Sequence, residues 1–353
     1  MILYLLLGFI LLFFSIFGKK SKILLLLLLG ILVIVSSIRS YSVGADTLIY
    51  LNEYNYASTI DWGNIFSVDY PLFIVYCKFI LIFWADFRAF IVITSIIIGL
   101  LLYLVCNKTD NPVLTLTMFY FLGLYLQTFC ILRQSLSILF VAIGFIFLLK
   151  EGLKNTIIYY IFNVISIGFH IVSVIMLILP IVYFIFKRFS SSRNKYFIIG
   201  IIGFIVFYII SNELLSYIIP FFSDKYQYLY SETGRRSFDG NIYGGILYTI
   251  LYLILYAIYY LEFDTLDDFQ KRNIGILFIL AFSFNAFSYI SADLGRLNLY
   301  IEWLLVFNMS NILNIEYRNK NVFYFVNLLI FTAYLILYLN RDSIGVVPYT
   351  IFF

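Results

Sequence analysis

The chain has 353 residues, of which 63% are hydrophobic and 12% charged, with mean hydropathy +1.00 and a formal net charge of +4. Apolar runs recur at the length a bilayer requires, which excludes an ordinary soluble domain and identifies an integral membrane protein. The small net charge says little, because topology follows where Lys and Arg lie and not their sum.

The sequence predicts an all-α, polytopic transmembrane helix bundle. Its spans are expected near 2–17, 23–38, 89–106, 112–129, 134–149, 155–168, 171–186, 196–219, 242–261, 273–290, 297–314 and 322–339. That makes about 12 crossings in a single integral domain over 1–353, with no composition shift marking a soluble module. The N-terminus is apolar before its first lysines, Lys19, Lys20 and Lys22. This argues for an uncleaved first span with its N-terminus outside.

Residues 71–84 form a shorter apolar stretch, about 21 Å if helical, short of the roughly 30 Å hydrocarbon core. A re-entrant or interfacial helix there gives a consistent topology. The loops at 18–22, 107–111, 150–154, 187–195, 262–272 and 315–321 then face the cytoplasm with ten Lys and four Arg. The outer side keeps only Lys78 and Lys225 but seven arginines: 39, 88, 133, 235, 236, 296 and 341. Arginine against the positive-inside trend suits phosphate binding, because the guanidinium grips oxygens in pairs and stays charged in poorly solvated places. The alternative is pairing with outer acids such as Asp46, Asp293 and Asp342.

Five outer stretches carry candidate chemistry. Residues 39–50 place Arg39, Asp46 and Tyr50 just beyond the second span. Arg133 and Gln134 fall past the midpoint of an apolar region from Val113 to Leu149, where a hairpin must turn; Ser137 follows one helical turn on. An arginine at the centre of one span would cost about 3 kcal/mol or more, and less at such a turn. His170, the one histidine, sits midway through another two-span region, Thr156 to Phe186, and is either a general base in a recess or a satisfied core residue.

In the outer loop 220–241, Tyr226, Tyr228 and Tyr230 precede Arg235 and Arg236. Aromatic faces with hydroxyls suit a sugar path and equally a membrane interface. The last cluster is Asp293, Arg296 and Tyr300, with Arg296 and Tyr300 on one face at i,i+4 and Glu302 inside the following span. Cys77, Cys106 and Cys130 all lie in apolar segments and are expected in the core. There is no phosphate-binding glycine loop, no zinc-protease motif and no metal-binding acid pair in an outer loop, and nothing supports nucleic-acid binding.

Together these residues resemble the EpsG branch of the Wzy-type polysaccharide polymerases. The similar stretches are Arg39 with Val43-Gly44-Ala45-Asp46-Thr47 and Tyr50; Tyr70-Pro71-Leu72-Phe73; Leu132-Arg133-Gln134; Phe169-His170 on to Pro180; Tyr226 to Tyr230; Arg296 to Tyr300; and Val347-Pro348-Tyr349. Ala45 and Leu72 depart from the family's usual Thr and Gly, and Ser173 follows His170 by three residues where the family more often has a Ser at two.

The resemblance implies an enzyme of capsule, O-antigen or exopolysaccharide assembly in the bacterial cytoplasmic membrane. It would join undecaprenyl-pyrophosphate-linked oligosaccharide repeat units at the outer face, without metal or other cofactor, alongside a flippase and a chain-length regulator. On that basis Arg133 and Arg296 hold the pyrophosphate and His170 is the candidate base. Arg39, Asp46, Tyr50, Gln134 and Tyr300 shape the site, and Tyr226, Tyr228, Tyr230 and Arg235 line the sugar path. A transferase adding one sugar or a branch, and a flippase of lipid-linked oligosaccharide, are the rivals.

Overall fold

A computed structural model describes residues 1–18, 20–68, 70–186, 192–218, 242–290, 295–312, 320–341 and 344–352. Among these residues the protein is all-helical, with no β-strand beyond one isolated bridge. The chain forms two compact units: residues 1–175 with 313–353, and residues 176–312.

The first unit opens with two apolar helices, α1 (Ile2–Phe17) and α2 (Lys22–Ile38). Ser21 caps α2 by accepting a hydrogen bond from the Leu24 N–H at 3.2 Å. Each helix buries one stripe at helical spacing, Tyr4, Leu7, Gly8 and Leu11 in α1, and Leu25, Leu28, Leu32 and Val35 in α2. The opposite faces expose Leu6, Phe9 and Phe13, and Leu27, Ile31 and Ile34. Apolar side chains on both inner and outer faces fit a helix surrounded by lipid.

After α2 the chain forms a short loop and the 13-residue helix α3 (Thr47–Thr59), then a 3₁₀ turn over Trp62–Ser67. Helix α4 (Pro71–Phe83) follows, also 13 residues, with Pro71 in its first turn where a missing N–H costs nothing. At about 20 Å it is too short to span a bilayer, as its sequence suggested. Then come α5 (Phe87–Cys106), α6 (Pro112–Phe121), α7 (Leu124–Cys130), α8 (Leu132–Leu148) and α9 (Leu153–Phe169).

The expected span 112–129 is broken: α6 and α7 meet at 61°. Gly123 makes the break at φ +75, against the Tyr338 ring of α15 (Lys320–Arg341). A second break at Ile131 starts α8. Among the described residues, three helical stretches are long and apolar enough to cross a membrane, Phe87–Cys106, Arg193–Ile210 and Gly245–Thr265, or four if the bent pair is one span. Seven shorter apolar helices accompany them among the described residues, including α1, α2, α8 and α9.

Polar side chains join the helices of this unit. Ser36 and Ser95 hydroxyls meet at 2.8 Å between α2 and α5, Tyr76 and Thr94 at 2.7 Å between α4 and α5, and Ser137 and Ser166 at 2.6 Å between α8 and α9. Such bonds between hydroxyls suit helices that cannot rely on water to drive them together. Residues 344–352 then return as an extended strap along the loop after α2. Gly44 and Ala45 N–H groups donate to the Gly345 and Ile344 carbonyls (2.7 and 2.8 Å), and Ser40 N–H donates to Thr350 (2.8 Å). Phe352 N–H donates to Ile38 (3.0 Å), and Tyr4 and Tyr349 hydroxyls pin the Val346 and Val35 carbonyls.

The second unit contains α10 (Leu179–Phe186), α11 (Arg193–Ile218), α12 (Ile242–Glu262), α13 (Asp268–Ile290) and α14 (Leu297–Ile312). Glycines bring α11 and α13 close: Gly200 faces Phe282, Gly203 faces Ser283, and Gly275 faces Tyr196. Asn285 donates to Thr249 at 2.6 Å, and Thr249 pairs with Tyr289 at 2.8 Å. The expected span 171–186 is helical throughout, as a 3₁₀ segment, Ile171–Ile178, running into α10. All three cysteines are buried and form no disulfide, as expected of core residues.

Candidate active site

Tyr50 and Glu53 share a face of α3 at i,i+3. Tyr70 caps the start of α4 and Phe73 lies one turn inside it. Arg133 occupies the first turn of α8. These three elements bring an arginine into a cage of aromatic rings with one carboxylate.

The Arg133 guanidinium lies 3.8 Å from the Tyr70 ring centroid, 5.5 Å from Phe73 and 5.9 Å from Tyr50. Its Nη1 donates to Glu53 Oε1 at 2.7 Å, and the Tyr70 hydroxyl donates to the same oxygen at 3.0 Å. Glu53 Oε2 and Arg133 Nε are buried without a hydrogen-bond partner. The rings hold the cation through their negative faces, each worth about 0.5–2 kcal/mol. Burial raises the Tyr70 pKa to about 12, with Glu53 adding to the effect, so Tyr70 remains a protonated donor at neutral pH. Burial likewise raises Tyr50.

His170 ends α9 in extended geometry, with its N–H on the Ser166 carbonyl (2.9 Å) and its own carbonyl accepting from Ser173 N–H (3.0 Å). The Ser137–Ser166 contact fixes its height. Helices α8 and α9 run antiparallel across the short turn at 149–152. Arg133 lies four residues before Ser137, and His170 four after Ser166. Each is therefore about 6 Å from that contact along its helix, in the same direction. Arg133 and His170 thus stand at one end of the pair. The last turn of α9 also rests on α4: a Cβ on Gly168 would meet Leu72 Cγ at 2.4 Å, and Phe169 packs on Tyr76. Ser137 itself, read from sequence as a polar neighbour of Arg133, is fully buried in this helix contact.

Arg39 is 0% exposed. Its Nη1 donates to the Ser36 carbonyl (2.6 Å) and hydroxyl (2.9 Å), its guanidinium covers the Phe129 ring at 4.9 Å, and its own carbonyl accepts from Arg88 (2.6 Å). Burial lowers its pKa to about 10, which keeps it charged at neutral pH. Arg39 therefore ties the end of α2 to α7 beneath the strap. Asp46 is the half-buried residue before α3, and its carbonyl accepts the Tyr50 N–H at 3.0 Å. Gln134 is buried in α8.

In the second unit, Arg296 is half-buried just before α14 and its carbonyl accepts from the Leu299 N–H at 3.3 Å. Tyr300 is fully buried in α14. The expected sugar-path residues Tyr226, Tyr228, Tyr230 and Arg235, together with Asp293, lie outside the described residues.

Glu53 escaped the sequence reading, which sought partners for the outer arginines among Asp46, Asp293 and Asp342. The signal was present: Thr47, Tyr50, Tyr54 and Ala57 mark the buried face of α3, and Glu53 lies between two of them. An acid on the edge of a buried stripe calls for a cation. Tyr70 carried the family resemblance but was given no role in the site.

No curated protein and no solved structure matches the chain. The sequence model of the EpsG family matches residues 22–351, a range that holds every element of the Arg133 cage. The chain belongs to the EpsG family, whose members are Wzy-type polymerases.

Proposed function

We propose that this protein polymerises a bacterial polysaccharide by joining oligosaccharide repeat units carried on undecaprenyl pyrophosphate, at the outer face of the cytoplasmic membrane. Family membership supports the reaction class. The observation that carries the site is Arg133, held by three rings at the same end of the α8–α9 pair as His170. In this reading the chain crosses the membrane about 12 times as a single membrane protein, with α4 lying in the interface or re-entering.

The reaction is a substitution at an anomeric carbon. An acceptor hydroxyl oxygen forms the new bond to that carbon as the bond to the pyrophosphate oxygen breaks, and the electron pair leaves with the pyrophosphate. His170 takes the acceptor's proton. Arg133 stabilises the growing negative charge, and its ring cage keeps the guanidinium in one orientation. Gln134 and Tyr50 position Arg133, and Arg39 with Asp46 sets the loop that carries α3. Arg296 is proposed separately as a second anion-binding arginine, with Tyr300 behind it. Tyr226, Tyr228, Tyr230 and Arg235 are proposed to contact sugar. The flippase and chain-length regulator of the same assembly route are the expected neighbours.

The test is the pool of undecaprenyl-linked glycans in cells lacking the protein, separated by mass and by membrane face. Single complete repeat units on the outer face are expected. Units short by one sugar would make it a transferase that completes the repeat, and complete units trapped inside would make it a flippase. Reintroduced Arg133→Lys should restore polymer little better than Arg133→Ala, because a point charge loses the planar fork and the stacking on Tyr70. Full polymer with lysine would remove Arg133 from this role.

A further inference from the structure

Two donors converge on one oxygen in the Arg133 cage. Arg133 Nη1 and the Tyr70 hydroxyl reach Glu53 Oε1 at 2.7 and 3.0 Å. A phosphate oxygen accepts the same two donors at the same distances. A permanent arginine–carboxylate clamp pairs two N–H groups with two oxygens. Here the contact has one prong, and Arg133 Nε and Glu53 Oε2 are both left without a partner. The two side chains keep 15% and 12% of their surface exposed, so the pair is mostly buried but not sealed from the surface. The guanidinium is fixed by Tyr70, Phe73 and Tyr50, whereas Glu53 reaches in from α3 on a side chain that can swing without moving its helix.

We propose that Glu53 is an exchangeable counter-ion of Arg133: its carboxylate holds the place a phosphate oxygen takes, and it withdraws when a pyrophosphate binds. The inference rests on the reading of Arg133 as a pyrophosphate ligand. Glu53 keeps the buried cation neutralised between turnovers, when an unpaired charge would be costly. It also sets a threshold, since only an anion carrying more charge and more acceptor oxygens than a carboxylate displaces it. A neutral glycan or a free polyprenol does not. Product release follows the same exchange in reverse, with Glu53 returning as the leaving group departs.

The experiment is a binding titration on the full chain in lipid nanodiscs, with geranylgeranyl pyrophosphate as the probe and geranylgeraniol as its uncharged counterpart. Glu53→Gln keeps an oxygen for Tyr70 and Arg133 but removes the competing charge, and should bind the pyrophosphate about tenfold more tightly than the wild type. Tyr70→Phe, which deletes one donor, should bind it several-fold more weakly, and neither change should alter binding of the alcohol. Glu53→Asp draws the carboxylate back by one methylene and should also tighten binding, which keeps the test decisive if Glu53→Gln does not fold. A folded Glu53→Gln or Glu53→Asp that binds no tighter than wild type overturns the exchange while leaving Arg133 as a pyrophosphate ligand. Pyrophosphate binding that survives Arg133→Gln unchanged removes Arg133 from that role, and the exchange falls with it.

Discussion

Gly44 has no room for a side chain. Its φ is +97, and a Cβ there would stand 2.4 Å from the Phe129 carbonyl oxygen and 2.8 Å from Thr47 Oγ1. Its N–H also donates to the strap at Gly345. Gly44→Ala should destabilise the protein by about 1–3 kcal/mol through strain and displacement of α7. A lower melting temperature in detergent checks this, and an unchanged one would mean that the loop relaxes freely. The site was only partly legible at this scale. Arg133 stood out because a charge within 37 mostly apolar residues demands an explanation. Its aromatic cage did not, because Tyr50 and Tyr70 lie 83 and 63 positions away and only the packing of α3 and α4 on α8 brings them in. Arg39 was also conspicuous, but its complete burial makes it a tie between helices, which no charge pattern distinguishes from a ligand.

Among the elements, α4 and α9 fit closely beside the candidate site. Gly168 lets the last turn of α9 sit against Leu72. Gly168→Val should push the turn bearing His170 away from α4 and lower polymer yield, and Leu72→Ala in the same chain should recover much of it. Polymer chain length and yield in complemented cells provide the readout. No recovery would mean that the valine acts through α9 alone. Helix identity was legible because each apolar run had a polar break at its end. Helix continuity was less so. The 61° bend falls at Gly123, which packs without a side chain against the Tyr338 ring of α15, more than 200 positions along the chain, and one glycine in an apolar run does not announce a kink.

For the whole molecule, the apolar periphery sets the conditions under which the fold holds. The outward faces of α1, α2 and α11 expose Phe9, Phe13, Ile31, Ile34, Ile202 and Ile209, so the native state belongs in lipid or detergent. Membrane class was readable from composition, because every lipid-facing position must be apolar. The division into two units was not, since both are built from helices of similar composition. The strap contributes at this scale too. Tyr349→Phe removes the hydrogen bond to the Val35 carbonyl and should cost about 1 kcal/mol. Deleting residues 344–353 should cost much more, measured as lost thermal stability of the full chain in nanodiscs. A deletion that melts like the wild type would reduce the strap to an ornament.

The order in which the chain is made gives the strap a further meaning. Residues 39–46 leave the ribosome long before 344–352, with the whole of 176–312 translated between them. For that interval the Gly44 and Ala45 amides lack the carbonyls that hold them in the finished fold. The loop that carries Tyr50 and Glu53 into the arginine cage therefore cannot lock until the helices of the second unit have been inserted. A nascent chain stalled before residue 344 would carry Arg133 and His170 but an unfastened loop, so the pyrophosphate binding proposed for Arg133 should mature only after insertion is finished.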